Sequence, residues 1–146
     1  MALKFKVDAS RRMADTVTKV LLSLHLAPKG YYLLTTIGRK TGISRSNPVT
    51  LIEEGNRRWL VSPFGNVSWV HNVRASGRVI LTRNGKSESA AIRECSAEQA
   101  APVLRKYVMN VEITRPYFDV GTDSSEEAYL VEAPKHPVFE IVNRDS

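Results

Sequence analysis

The chain has 146 residues, 42% of them hydrophobic and 25% charged, and a formal net charge of +6. The length fits a single domain, 1–146, with a real core, and the composition is globular, neither disordered nor fibrous. The charge favours an anionic partner. Arg and Lys are spread along the chain and form no polybasic tail, which argues against nucleic acid. One cysteine, Cys95, precludes an internal disulfide and fits a reducing compartment. Met1 to Lys6 leads into no apolar run, and no stretch approaches the ~20 apolar residues of a membrane span. The expectation is a cytoplasmic protein.

In chain order, 10–27 reads as an amphipathic helix, with Met13, Val17, Val20, Leu21 and Leu24 at helical spacing and Pro28 and Gly30 ending it. Its basic residues also suit contact with an anionic membrane surface, against the plainer reading of packing on the domain. Tyr31 to Ile37 is an apolar strand. Gly38-Arg39-Lys40-Thr41-Gly42-Ile43-Ser44-Arg45-Ser46-Asn47-Pro48 is a basic turn, and Val49 to Glu53 the next strand. Three cations on so short a loop repel one another, so either solvent or an anionic ligand must screen them.

Arg58 to Ser62 is a third strand, Pro63 to Asn66 a loop, and Ser68 to Ala75 a short helix closed by Gly77. Arg78 to Arg83 and Glu88 to Arg93 flank Asn84-Gly85, a hairpin signal because both residues tolerate positive φ. Ser96 and Gln99 form a capping box for a helix to about Val111. Thr122 to Glu127 reads as a polar loop, with Ala128 to Glu132 and Val138 to Val142 as closing strands. Six or seven short strands joined by hairpins require antiparallel pairing. This points to a small closed or half-open barrel with helices at its ends, not a doubly wound sheet.

Little in the chain supports metal or nucleophilic chemistry. His25, His71 and His136 have no ligand-spaced neighbours, and His136, between prolines, is expected at the surface. There is no nucleophile elbow, Walker loop or Rossmann glycine pattern, and nothing near Cys95 would activate it. What remains is the basic turn, the loop Ser62-Pro63-Phe64-Gly65 and the helix face shared by Trp69 and Asn72. Trp69 either supports a planar ring or simply anchors the core.

These residues resemble a known family. Leu33-Leu34-Thr35-Thr36-Ile37-Gly38-Arg39-Lys40-Thr41-Gly42, then Arg45, Pro48-Val49, the loop at Ser62, and Trp69-x-x-Asn72-x-Arg74-Ala75 are similar to the deazaflavin-dependent nitroreductases and quinone reductases of actinobacteria. The resemblance implies an α+β split β-barrel of the flavin-reductase type with flanking helices. It also implies coenzyme F-420, an 8-hydroxy-5-deazaflavin with a phosphate and an oligoglutamate tail. By similarity, Arg39, Lys40 and Arg45 hold the phosphate and tail, with Thr41 and Gly42 in the same turn. Asn47 and Pro48 border the ring, Ser62, Pro63, Phe64 and Gly65 offer it backbone contacts, and Trp69 and Asn72 close the pocket. The implied reaction passes a hydride to a small hydrophobic acceptor: a quinone, an enone or a nitro compound. Tyr107 and Tyr117 are candidate proton donors or plain structural tyrosines.

The chain departs from the nitroreductases in its short segment 62–68 and in its widely spaced tyrosines, flanked by Met109, Val111 and Phe118. Two alternatives follow: a non-catalytic barrel holding a fatty acid or other lipid, and, more weakly, a flavin mononucleotide oxidase. A homodimer stays open.

Overall fold

The structure, a computed structural model, describes residues 29–142, so the helix expected at 10–27 lies outside the described residues. Six strands form one closed antiparallel barrel in the order β1-β2-β3-β6-β5-β4. They are β1 (Tyr31–Ile37), β2 (Ser44–Glu54), β3 (Arg57–Val61), β4 (Arg78–Arg83), β5 (Lys86–Glu94) and β6 (Val138–Val142). Helix α1 (Ser68–Ser76) joins β3 to β4, while α2 (Ala97–Asn110) and α3 (Glu126–Glu132) fill the excursion between β5 and β6. Short 3₁₀ turns, Glu112–Tyr117 and Ala133–Lys135, flank α3.

Local chemistry accounts for most of these boundaries. Asn84 at φ 53° and Gly85 at φ 72° supply the two left-handed residues of the β4–β5 hairpin. Gly77, at φ 70°, ends α1 by donating its N–H to the Val73 carbonyl. The predicted box opens α2: Ser96 Oγ accepts from Gln99 N, and the Gln99 side chain accepts from Ser96 N.

Alternation divides the core in two. Leu34, Leu51, Leu60, Val79, Leu81 and Phe139 point into the barrel, which α1 closes with Trp69, Val70 and Val73. Ile52, Trp59 and Val61, one residue out of phase on β2 and β3, pack outward against Leu104, Tyr107 and Val108 of α2 and Tyr129 of α3. Each fully buried Leu or Phe contributes ~1.5–3 kcal/mol of transfer free energy, and β2 and β3 gain it on both faces.

Two expectations are corrected. Ala128 to Glu132 is helix, not strand, and the helix starts inside the expected loop. Ser125 Oγ accepts from Ala128 N at 3.2 Å, and Glu126 and Glu127 occupy the first turn, where the helix dipole favours negative charge. Burial of Tyr129, Glu132 and Ala133 then follows helical spacing. The basic turn is also shorter than expected. β2 begins at Ser44, and Arg45 to Pro48 are strand residues paired in register with Thr36 to Leu33 of β1.

Candidate functional site

The β1–β2 turn is rigid by construction. Gly38 N donates to the Ile43 carbonyl at 2.9 Å, and Gly42 N to the Gly38 carbonyl at 2.8 Å. Gly42 sits at φ 72°, and Ile43 N donates to Thr41 Oγ1. A Cβ at Gly38 would lie 2.7 Å from Thr41 Oγ1 and 3.1 Å from the Ile43 carbonyl, so the turn has no room for a side chain there.

Helix α1 braces this turn through Asn72, which is only 4% exposed. Its Oδ1 accepts from Arg39 N at 3.2 Å and from Arg39 Nη1 at 3.0 Å, and its Nδ2 donates to the buried Thr36 Oγ1 at 3.3 Å. One amide thus fastens helix, strand end and turn together.

Between turn and helix lies a cleft of about 470 Å³. The turn contributes Arg39, Lys40 and Thr41, β2 contributes Arg45, Ser46 and Asn47, and α1 contributes Ser68, Trp69 and Asn72. Three cations line it and no carboxylate does. Arg39, Lys40 and Arg45 are all exposed, and among the described residues neither Lys40 nor Arg45 has an ion-pair partner. The cleft therefore carries concentrated positive charge that a polyanion would neutralise. Trp69 faces two ways. It lines the cleft, and it is a core residue whose ring lies 6.2 Å from that of Phe139.

Other expected residues lie elsewhere. Gly42 shapes the turn without lining the cleft, and Pro48 sits in β2 opposite Leu33. Arg74 forms a two-pronged ion pair with Glu94 and donates to Asn66, so it staples α1 to β5. The loop after β3 turns its polar groups inward: Ser62 N donates to the Pro137 carbonyl, and Ser62 Oγ to the Gly65 carbonyl. Phe64 meets the Tyr117 ring edge to face at 4.8 Å. Tyr107, 3% exposed, packs in the core beside Phe118. Burial, reinforced by the negative charge of Glu140, pushes the Cys95 thiol up, which keeps it an unreactive thiol at neutral pH.

His136 is not at the surface. It is 4% exposed, stacked on Phe118 and bonded to Glu132 and to the Pro63 carbonyl. Sequence reasoning missed Glu132 because it read 128–132 as a strand, and only a helical path brings Glu132 beside His136, four residues on. Among the described residues no cluster of metal-ligating side chains exists, and no helix is long and apolar enough to cross a membrane.

Solved structures share the architecture. General Stress Protein 26 of Bacillus anthracis str. Sterne superposes with a TM-score of 0.53 at 9% identity, covering 85% of this chain and 87% of that one. A chain described as a domain-swapped dimer gives 0.58 at 21% identity, over 92% of this chain and 100% of its own. An F420-H2 dependent reductase gives 0.51 at 25% identity, over 78% of this chain and 95% of its own. The first two likenesses establish the split-barrel fold. Over residues 5–125 the chain matches the F420H(2)-dependent quinone reductase family, and it belongs to that family.

Proposed function

We propose that the cleft between the basic turn and α1 is where this reductase holds coenzyme F-420. The observation that carries the reading is the charge arrangement: three cations and no acid around about 470 Å³, on a turn rigid before any ligand arrives. Lys40 and Arg45 meet the phosphate and glutamate carboxylates, where Arg can bind in bidentate fashion. Arg39 adds its charge while its guanidinium stays tethered to Asn72. Asn47, Thr41 and Ser68 supply polar contacts, and Trp69 offers an apolar wall for a ring. When bound, the reduced coenzyme supplies a hydride to a quinone, and enones and nitro compounds share the electrophilic character that would let them accept it. The chain's part is to orient the ring and shield it from water. Tyr107 is sealed in the core, so proton delivery falls to solvent or to Tyr117. One unpaired cysteine suits a cytoplasmic setting.

The family match displaces the non-catalytic lipid-binding module. Of the apolar residues that suggested it, Val111 and Phe118 are buried in the second core and Met109 is exposed.

Titration of the oxidised coenzyme against flavin mononucleotide tests the reading. Lys40→Ala and Arg45→Ala are each expected to weaken coenzyme binding ~10–100-fold, because charge-assisted contacts are worth ~1.5–3 kcal/mol. The loss should shrink as salt rises. Absence of coenzyme binding by the wild-type chain at moderate salt refutes the assignment.

A further inference from the structure

The barrel's reaction machinery makes no use of its most deeply buried ionisable pair, Glu132 and His136. The Glu132 side chain is 2% exposed and that of His136 4%. The imidazole lies 3.9 Å from the Phe118 ring, nearly parallel to it. Its Nδ1 is 2.8 Å from the Pro63 carbonyl oxygen, and its Nε2 is 2.7 Å from Glu132 Oε2. A carbonyl only accepts, so Nδ1 carries a proton and donates it to Pro63. The short contact on the other side requires a second proton, shared between Nε2 and the carboxylate. A backbone amide and a lysine complete the carboxylate's bonding. Asp119 N donates to Glu132 Oε2 at 3.1 Å, and Lys135 Nζ bridges Glu132 Oε1 and Asp119 Oδ2.

A buried ion pair is a poor stabiliser, since apolar side chains of the same volume often do as well or better. Its value lies in the geometry it fixes, and here that geometry is the loop after β3. Two hydrogen bonds with residues 136 and 137 hold the loop: His136 Nδ1 donates to the Pro63 carbonyl, and the Pro137 carbonyl accepts from Ser62 N at 2.9 Å. The loop runs straight into α1. The Val67 carbonyl accepts from Val70 N in the first turn, and Ser68, Trp69 and Asn72 form the helical wall of the cleft.

We propose that Glu132 and His136 are positioning residues, a clamp on Pro63 that sets the entry of α1 and so the wall against which the coenzyme lies. The inference rests on the cleft being the coenzyme site. It assigns to the C-terminal segment a role in binding that no cleft-lining residue performs.

Two substitutions of the same ring separate positioning from mere packing. His136→Asn and His136→Gln both remove the imidazole and its stacking on Phe118, so both lower the melting temperature. The Asn amide stands where Nδ1 was and keeps the donor to Pro63; the longer Gln reaches toward Glu132 and gives that donor up. In the full-length chain, titration with oxidised coenzyme F-420 is expected to show His136→Asn within about twofold of wild type and His136→Gln roughly three- to tenfold weaker, the range for one hydrogen bond. Hydrogen exchange of amides 62–70, without coenzyme, should be faster in His136→Gln than in His136→Asn. Equal affinities and equal exchange in the two variants overturn the clamp. Should wild type bind no coenzyme, the cleft reading fails, while the exchange comparison still decides the clamp. Glu132→Ala serves if neither ring variant folds. It takes the hydrogen-bond partner from Nε2 and keeps the ring, so the imidazole is no longer held toward Pro63. Faster exchange over 62–70 than in wild type supports the clamp, and exchange as in wild type overturns it.

Discussion

Replacing Asn72 by Ala tests whether the basic turn binds because it is held still. The side chain is almost fully buried and makes three hydrogen bonds, two to Arg39 and one to Thr36. The bond to the guanidinium falls in the charged class, ~1.5–3 kcal/mol, and the other two in the neutral class, ~0.5–1.5 kcal/mol each. Arg39 is exposed, so water recovers much of what its groups lose, whereas the buried Thr36 hydroxyl loses its donor outright. The net expectation is ~2 kcal/mol of fold stability and ~1–2 kcal/mol of coenzyme binding, a ~5–30-fold rise in Kd. Loss of affinity alone does not show that Asn72 acts through Arg39, since it also lines the cleft. A double-mutant cycle does. Arg39→Ala alone should cost ~1.5–3 kcal/mol of binding, and adding Asn72→Ala to it should cost little more, leaving a coupling of ~1 kcal/mol or above. Coenzyme titration at one fixed salt concentration, with thermal melts confirming the fold, provides the four affinities. Strictly additive costs would refute the bracing argument and make Asn72 an independent ligand contact.

Gly38→Ala puts a methyl 2.7 Å from Thr41 Oγ1 and 3.1 Å from the Ile43 carbonyl, and the second of these is backbone that cannot swing aside. Overpacking of this kind costs ~1–3 kcal/mol, and coenzyme titration should show the turn's distortion as weaker binding; wild-type affinity would mean the turn adapts. Far from the cleft, Glu140 bridges Arg57 at 2.8 Å and Arg93 at 3.4 Å across β3, β6 and β5. The hydrogen bond from Arg57, then its charge, with Arg93 adding to both, holds the Glu140 carboxyl below the usual carboxylate range against its partial burial. A carboxyl with a lower folded than unfolded pKa stabilises the fold above the unfolded value, and this contribution disappears as pH falls through the folded one. Melting temperature should therefore drop less steeply from about pH 5 to about pH 3 in Glu140→Gln than in wild type; parallel curves would rule the pair out as a contributor.

What could be read from the chain was whatever a few consecutive residues decide by themselves. Asn84-Gly85 turns wherever it is placed because both residues accept positive φ, and Ser96 with Gln99 caps a helix without help from the rest of the fold. The cations of the basic turn were legible for an energetic reason: burying an unpaired charge is costly, so Lys40 and Arg45 had to face either water or an anion. Where local and tertiary signals compete, reading by propensity failed. Ala128 to Val131 has strand-like composition, but the Ser125 cap and the acidic first turn commit it to helix, leaving Val131 73% exposed and Glu132 buried.

Spacing along α1 correctly put Trp69 and Asn72 on one face, yet could not say what that face meets, because the partners of Asn72 are 33 and 36 residues away. The loop 62–65 shows the same limit more sharply. Read alone, Ser62-Pro63-Phe64-Gly65 suggests a turn with free backbone groups, but its contact from His136 spans 73 residues. Backbone polar groups in a buried loop must be paired, so Ser62 N and the Pro63 carbonyl bond to the segment that covers them and not to a ligand. With the coenzyme in the cleft as proposed, the cleft-facing side chains of β2 and α1 meet the ring, and the loop acts through the position of Trp69.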